Sequence, residues 1–242
     1  SHFPAEQAAK SAALLGAVEN GVLDAALVGP IYNGEVLPLN SIVSLPGFYT
    51  SAVQGTAALQ TMMQEGPLRD EFLATGVVPI FSFVLPPYQV LSKAGRLGNP
   101  ADWNGLNIRT SGSTQAMVAR DSGGAGVSIP GPEVYTAVET GRLDGILFPL
   151  ASVPAYKLNE VVKHISTNGS FGGYSFVVVV RKDLYDGLDQ DVKDAMQKAG
   201  VEAAMNVAKA QDYSIEALKT EWTASDIDVY EFTAEENAAL NA

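Results

Sequence analysis

A chain of 242 residues with 15 Lys and Arg against 27 Asp and Glu carries a formal net charge of −12. It has no run of basic residues, which argues against nucleic acid as a partner, and its acidic surface means that an anionic ligand needs a local positive site. With no cysteine it forms neither disulfides nor thiolate metal sites.

At 47% hydrophobic residues the chain has material for a substantial core. Its length allows two domains or one large one. No apolar stretch reaches the length of a membrane span; the longest candidate, Tyr174–Val180, is strand-sized. No signal peptide is visible, so a leader was removed ahead of Ser1 or never existed.

In chain order, residues 5–20 are alanine-rich, with Leu14, Leu15 and Val18 on one stripe, and read as a helix. Leu23–Val28 reads as a strand. Residues 31–50 read as irregular, with Pro38, Pro46 and Gly47 as breakers. Ser51–Gln64 is a second helix, followed by Gly66-Pro67. Val77–Leu85 is a strand, and after Pro86-Pro87 the extended pattern resumes over Tyr88–Ser92. Pro100–Gly105 reads as a one-turn helix leading into strand Leu106–Arg109. Ser113 is placed to cap a helix to about Ser122. Gly123–Gly126 is then a flexible turn and Val127–Pro130 is extended. Pro132 suits the first turn of a helix continuing over Glu133–Thr140. Ile146–Phe148 is a strand, Ala155–Lys163 is helical, and Phe176–Val180 reads as a strand buried on both faces. Asp189–Trp222 is the longest helical stretch, with apolar residues at Val192, Ala195, Met196, Ala199, Ala203, Val207 and Ala210, then Ile215, Leu218 and Trp222, and Gly200 as a weak point. The alternation argues for the α/β class.

One local unit occurs twice. Val18-Glu-Asn-Gly-Val-Leu-Asp24 is followed by an apolar run ending at Pro30; Val138-Glu-Thr-Gly-Arg-Leu-Asp144 is followed by one ending at Pro149. Each reads as a helix end, a left-handed glycine closure, a short buried strand and a proline stop. Two such units suggest two similar α/β lobes. Ligands in open α/β sheets sit outside the carboxyl ends of strands, so Pro30 and Pro149 are expected to mark opposite walls of one cleft. A chance likeness is the plain alternative.

Catalytic chemistry has little to draw on. The histidines are His2 and His164, both read as surface residues, and a Ser–His–acid triad needs one of them. There is no H-E-x-x-H, no G-x-S-x-G and no His/Cys cluster. Gly123-Gly-Ala-Gly126 lacks the spacing of a dinucleotide fingerprint and reads as a loop. Asn168-Gly-Ser170 is formally a glycosylation sequon and reads as a turn. Arg109 is the stronger candidate. It closes a strand and precedes Thr110-Ser111-Gly112-Ser113, where a helix starts. A guanidinium, several hydroxyls and helix N–H groups suit a carboxylate; the alternative is a surface arginine at a strand end. The aromatic residues Tyr32, Phe48, Tyr49, Tyr88, Phe148, Phe171 and Tyr174 cluster near strand ends, as wall residues of a pocket or as ordinary core.

Asn99-Pro-Ala-Asp-Trp-Asn-Gly-Leu-Asn-Ile-Arg109, Ile129-Pro-Gly-Pro-Glu-Val-Tyr-Thr-Ala-Val-Glu-Thr-Gly-Arg-Leu-Asp-Gly145 and Pro149 through Tyr156-Lys-Leu-Asn-Glu-Val161 carry a further signal. They resemble the solute-binding proteins of tripartite ATP-independent periplasmic (TRAP) transporters, of the DctP type. Glu19–Pro30, Leu45-Pro46, Asp183–Leu188 and the long helix fit the same family. The resemblance implies a two-lobed periplasmic-binding-protein-like α/β fold with a cleft between lobes and a long helix in the C-terminal half. It implies a periplasmic protein, its signal peptide removed, that carries a small organic acid to a membrane permease. No enzymatic activity, cofactor, metal, nucleic acid or membrane insertion is expected, and the chain is expected to be a monomer. Lobe I is expected over 1–85 and 176–213, and lobe II over 86–175 and 214–242. Both ends are expected to be shorter than in the family.

In the family the arginine matching Arg109 clamps the ligand carboxylate, which makes Arg109 the anchor, with Thr110 and Ser111 adding hydrogen bonds and Tyr32, Tyr88, Phe148 and Phe171 shaping the wall. Many members carry a second arginine near Tyr88 and an asparagine at Phe148; this chain has neither. The expected ligand is therefore a monocarboxylate with an apolar, aromatic or hydroxylated body. The alternatives are an organic-acid lyase or isomerase on the same fold, and a ligand-sensing module.

Overall fold

The computed structural model describes residues 7–240. The elements are α1 (Leu14–Glu19), β1 (Ala25–Val28), α2 (Ala52–Met62), α3 (Pro67–Ala74), β2 (Val77–Val84), β3 (Gln89–Ser92), β4 (Asn107–Thr110), α4 (Ser113–Asp121), β5 (Ala125–Ser128), α5 (Val134–Glu139), β6 (Gly145–Phe148), β7 (His164–Ser166), β8 (Ser175–Arg181), α6 (Lys182–Asp186), α7 (Gln190–Ala224), β9 (Asp228–Tyr230) and α8 (Ala234–Leu240). The chain is α/β with two sheets.

It divides into two compact units. The first comprises residues up to Val43, Ala52–Val84 and Tyr174–Lys209. Its sheet has the order β1-β8-β2, both pairings antiparallel. Val28, Val77, Val84, Val177 and Val179 are buried there, with Leu59 of α2 and Phe72 of α3 covering the sheet. The second unit comprises Ser44–Ser51, Leu85–Gly173 and the chain from Ala210 onward. Its sheet has the order β5-β4-β6-β3-β7-β9. β4 pairs parallel with both β5 and β6, and β3 runs antiparallel to β6 and β7. The core of this unit gathers Ile146, Phe148, Leu150, Val153, Leu158, Ile165 and Trp222. Parallel strands need long crossovers, and α4 and α5 supply them.

Several expectations are corrected. The helix over 5–20 is a 3-10 turn at Ser11–Ala13 followed by α1 alone; residues 5 and 6 lie outside the described residues, as does His2. Lys10 is extended and makes no side-chain cap. The irregular stretch 31–50 holds 3-10 turns at Pro30–Asn33 and Leu39–Ser44. Gly66-Pro67 opens α3 with proline in the first turn, where its missing N–H costs nothing. Ser113 lies inside α4, and the cap position belongs to Gly112. Ala125 and Gly126 belong to β5; a Cβ on Gly126 would sit 2.6 Å from Ala116 Cα, so the glycine lets α4 lie close on the strand. Ala155–Lys163 is two 3-10 turns broken at Lys157, whose φ of 55° reverses the chain. β8 alternates between buried and half-buried residues, because only one of its faces is fully covered. Along α7 the buried positions are Gly200, Ala204, Ala208 and Trp222, where a Cβ on Gly200 would meet Phe81 at 2.3 Å. Val192, Ala195, Ala199, Ala203, Val207 and Ala210 stay exposed, while Ile215, Leu218 and Trp222 join the core of the second unit as expected.

Candidate functional site

Ile108 of β4 is fully buried, and the next residue, Arg109, is only 2% exposed. Successive side chains of a strand face opposite ways, so Ile108 takes one face and Arg109 the other. The Arg109 guanidinium is fixed by two backbone carbonyls. Nε donates to Ile129 O at 2.9 Å and Nη1 to Leu147 O at 3.1 Å. Its carbon lies 5.1 Å from the Phe148 ring centroid, in cation–π range. An arginine has five N–H donors; Nη2 and one Nη1 hydrogen have no protein partner among the described residues. No acidic side chain pairs with it there. A buried cation without a counter-ion is costly, and the open donors form half of a fork that suits a carboxylate.

Tyr88, at 2% exposure, and Ser111, at 0%, flank this group. Ser111 Oγ donates to the Tyr88 hydroxyl at 3.3 Å. Tyr88 and Phe148 lie 6.3 Å apart between centroids, and Tyr156 meets Phe148 edge-on at 5.4 Å. Gln115, buried in α4, accepts the Ser111 N–H at 2.8 Å through Oε1 and donates to Gly173 O at 3.3 Å. It clamps the turn between β4 and α4. Gln115 and Tyr156 were not among the expected site residues. The signal for Gln115 was its place four residues after Ser111, one helical turn on. For Tyr156 it was membership of the Pro149–Val161 stretch.

The structure therefore brings Arg109, Ser111, Tyr88 and Phe148 together. Thr110 is fully buried and its hydroxyl has no partner among the described residues; strand alternation sets it opposite Arg109. Phe171 packs in another aromatic group, 5.6 Å from Trp103 and 5.7 Å from Phe232. Tyr32 belongs to the first unit, where it stands edge-on to Tyr174 at 5.7 Å.

The second unit also holds a charged cluster. Arg96 donates to both Asp228 oxygens, at 2.7 and 2.6 Å, and His164 Nδ1 lies 2.9 Å from Asp228 Oδ2. The Arg96 hydrogen bond is the main cause that holds the Asp228 carboxyl down at about 2. Burial pushes the Tyr230 phenol up to about 12, and Arg96 lies over its ring at 5.0 Å. His164, on β7, is thus a half-buried partner of Asp228 on β9 and not a free surface side chain. Asn168 is no free sequon side chain: it donates to Phe232 O at 3.0 Å and accepts from Phe232 N at 2.8 Å. A concavity of about 230 Å³, lined by Tyr49, Pro87, Gln89, Asn168 and Ile215 among others, does not include Arg109. Among the described residues no group of three acidic or histidine side chains is placed to hold a metal, and no helix is long and apolar enough to cross a membrane.

Comparison with known proteins follows the same line. The family described as DctP, bacterial extracellular solute-binding protein, family 7, matches residues 1–242. A solute-binding protein of Albidiferax ferrireducens is 28% identical over 96% of this chain and 69% of its own. The C4-dicarboxylate-binding periplasmic protein DctP of Rhodobacter capsulatus is 33% identical over 63% of this chain and 46% of its own. Among solved structures, a TRAP periplasmic solute-binding protein of Bordetella bronchiseptica with bound mandelate superposes with a TM-score of 0.88 at 23% identity, over 99% of this chain and 76% of the other. One from Rhodoferax ferrireducens with benzoate gives 0.87 at 24%, over 97% and 74%. At that identity the two structures speak for the fold.

Proposed function

We propose that this chain, which belongs to the DctP family of TRAP-transporter solute-binding proteins, captures a small monocarboxylic acid with an aromatic or otherwise apolar body. The observation that carries the reading is Arg109: a guanidinium 2% exposed, oriented by Ile129 O and Leu147 O, with donors to spare and no acidic partner among the described residues. A guanidinium keeps its charge at any physiological pH. A ligand carboxylate supplies the missing counter-charge and accepts the open N–H groups in a fork.

Around that anchor the neighbouring side chains are aromatic. Phe148 lies beneath the guanidinium, with Tyr88 and Tyr156 beside it. No second cation stands in this group to receive a second carboxylate, among the described residues. Mandelate and benzoate, bound by the two structural neighbours, have one carboxylate and one ring, and this composition of the Arg109 surroundings suits the same class. The action is binding without chemistry: the acid is held for delivery to a membrane permease. A periplasmic location agrees with the relative named as periplasmic.

The test is a thermal-shift screen against organic acids, since a ligand selective for the native state raises the melting point. Aromatic monocarboxylates are expected to give the largest shifts, and Arg109→Ala to remove them. A clear win for dicarboxylates or sugar acids would reverse the ligand class. Unchanged affinity in Arg109→Ala would refute the anchor.

A further inference from the structure

Phe148 lies against the Arg109 guanidinium, Tyr88 and Tyr156 pack on Phe148, and the three rings differ in one respect. Tyr88 and Phe148 are spent on packing, at 2% and 3% exposure. Tyr156 keeps 37% of its surface open. Its ring is held in place from two sides. It stands edge-on to Phe148 at 81°, and it rests against the backbone of Gly131, where a Cβ would come within 3.1 to 3.2 Å of three ring and hydroxyl atoms.

The chain path fixes the ring as well. Tyr156 closes the 3-10 turn Pro154–Tyr156, and Lys157 turns left-handed immediately after it. A left-handed non-glycine residue is a costly conformation. It is retained here between Val153 and Leu158, both fully buried in the core of the same unit. Core packing on either side thus imposes the turn, and the turn presents the ring. Two successive contacts thus link a buried cation, Arg109, through a buried ring, Phe148, to an exposed one, Tyr156.

We infer that Tyr156 is the specificity-determining residue for the ligand's body: its open ring stacks on an aromatic or flat apolar group while Arg109 holds the carboxylate. This rests on the Arg109 reading and adds to it a residue that discriminates between acids of the same charge. Aromatic pairs contribute beyond the area they bury, and an aliphatic acid of similar size lacks that part.

Affinities of the whole chain for benzoate and mandelate are compared with those for their saturated, size-matched counterparts cyclohexanecarboxylate and hexahydromandelate by calorimetry, in the wild type, Tyr156→Ala, Tyr156→Phe and Gly131→Ala. Tyr156→Ala is expected to weaken the aromatic acids by about tenfold or more and to leave the aliphatic ones within about twofold. Tyr156→Phe should keep the wild-type ratio, and Gly131→Ala, which displaces the ring, should lower it. If Tyr156→Ala does not fold, the ratio in Gly131→Ala decides. An aromatic-to-aliphatic ratio unchanged in both variants overturns the assignment, as does an equal loss for both classes, which marks a structural role. A wild type that binds no monocarboxylate overturns the Arg109 reading itself and this inference with it.

Discussion

The duplicated unit invites a comparison of its two copies. In both, a short helix closes through a left-handed glycine, Gly21 with φ 72° and Gly141 with φ 76°. Gly21 N bonds to Val18 O at 3.0 Å and Gly141 N to Val138 O at 3.1 Å; Leu23 N bonds to Ala17 O at 3.0 Å and Leu143 N to Ala137 O at 3.1 Å. Each following strand, β1 or β6, lies antiparallel to one neighbour, β8 or β3. The copies part at the other edge. β6 also pairs with β4, whose Asn107 N–H is accepted by the Asp144 carboxylate at 2.8 Å. β1 has β8 as its one partner among the described residues. Leu147 is accordingly fully buried, while the equivalent Leu27 is 43% exposed. The Leu147 carbonyl also orients Arg109. The repeat thus sets the local form, and the added strand β4 decides which copy supplies the carbonyl that orients Arg109.

The largest effect expected from breaking this asymmetry is at Arg109. Arg109→Ala leaves a ligand carboxylate without its partner, and affinity should fall by about 100-fold or more, roughly 3 kcal/mol. Arg109→Lys should fare little better, because an ammonium cannot bond two fixed carbonyls and still offer a fork. Calorimetric titration with the acid that emerges from the screen reads both. Retained affinity in either variant would place the anion elsewhere.

The next effect tests the strands themselves. Leu147→Ala should cost about 3 kcal/mol, within the usual range for a buried leucine. Leu27→Ala should cost less than about 1 kcal/mol, because its side chain is already partly in water. Urea midpoints at fixed slope measure the two. Equal losses would mean that the open edge of β1 is covered in solution.

A smaller effect should be shared. Gly21→Ala and Gly141→Ala each place a Cβ on a left-handed residue, at about 1–2 kcal/mol. Gly141 has open space around the new Cβ, whereas at Gly21 it would approach Arg181 Nη1 at 3.3 Å, the end of a flexible side chain. Near-equal shifts in urea midpoint support a common closure. A harmless Gly141→Ala would show that the φ of that turn is not required.

How much of this was legible in the sequence follows from how local each cause is. The repeat was readable because glycine closure and the apolar strand are set within about ten residues. The α/β class and the long helix α7 were readable for the same reason. Arg109 stood out as a strand-end cation, and its burial agrees with that reading. Its fixing by Ile129 and Leu147 was not legible, because those carbonyls come from just beyond β5 and from β6, far from Arg109 in sequence. The same holds for Phe171, a strand-end aromatic that joins Trp103 and Phe232, and for β7 and β9, three residues each, whose parallel pairing no short run announces. In the first part of α7 the exposed apolar positions outweighed the small buried residues Gly200, Ala204 and Ala208, so periodicity pointed to the wrong stripe there; Ile215, Leu218 and Trp222, large apolar residues at helical spacing, were legible and pack into the core.

The smallest expected effect separates the units by pH. Asp228 on β9 has its carboxyl lowered from 3.8 to about 2, first by the hydrogen bond from Arg96 and further by His164. A depressed folded value stabilises above the unfolded value and is lost as pH falls through the folded one. The contribution is therefore complete above about pH 4 and fades toward pH 2. With a third of the carboxyl side chain exposed, solvent screens the pair and keeps the effect modest. In the first unit the Arg181 cluster with Asp24 and Asp183 is bonded to far more exposed carboxylates, 75% and 72% open. Hydrogen exchange between pH 4 and 2 should show β7 and β9 loosening ahead of β1 and β8. Asp228→Asn should remove the pH dependence at β9, since the amide cannot ionise. Parallel loosening of both sheets, with wild type and variant alike, would assign acid sensitivity to the net charge of the chain instead of to this carboxylate.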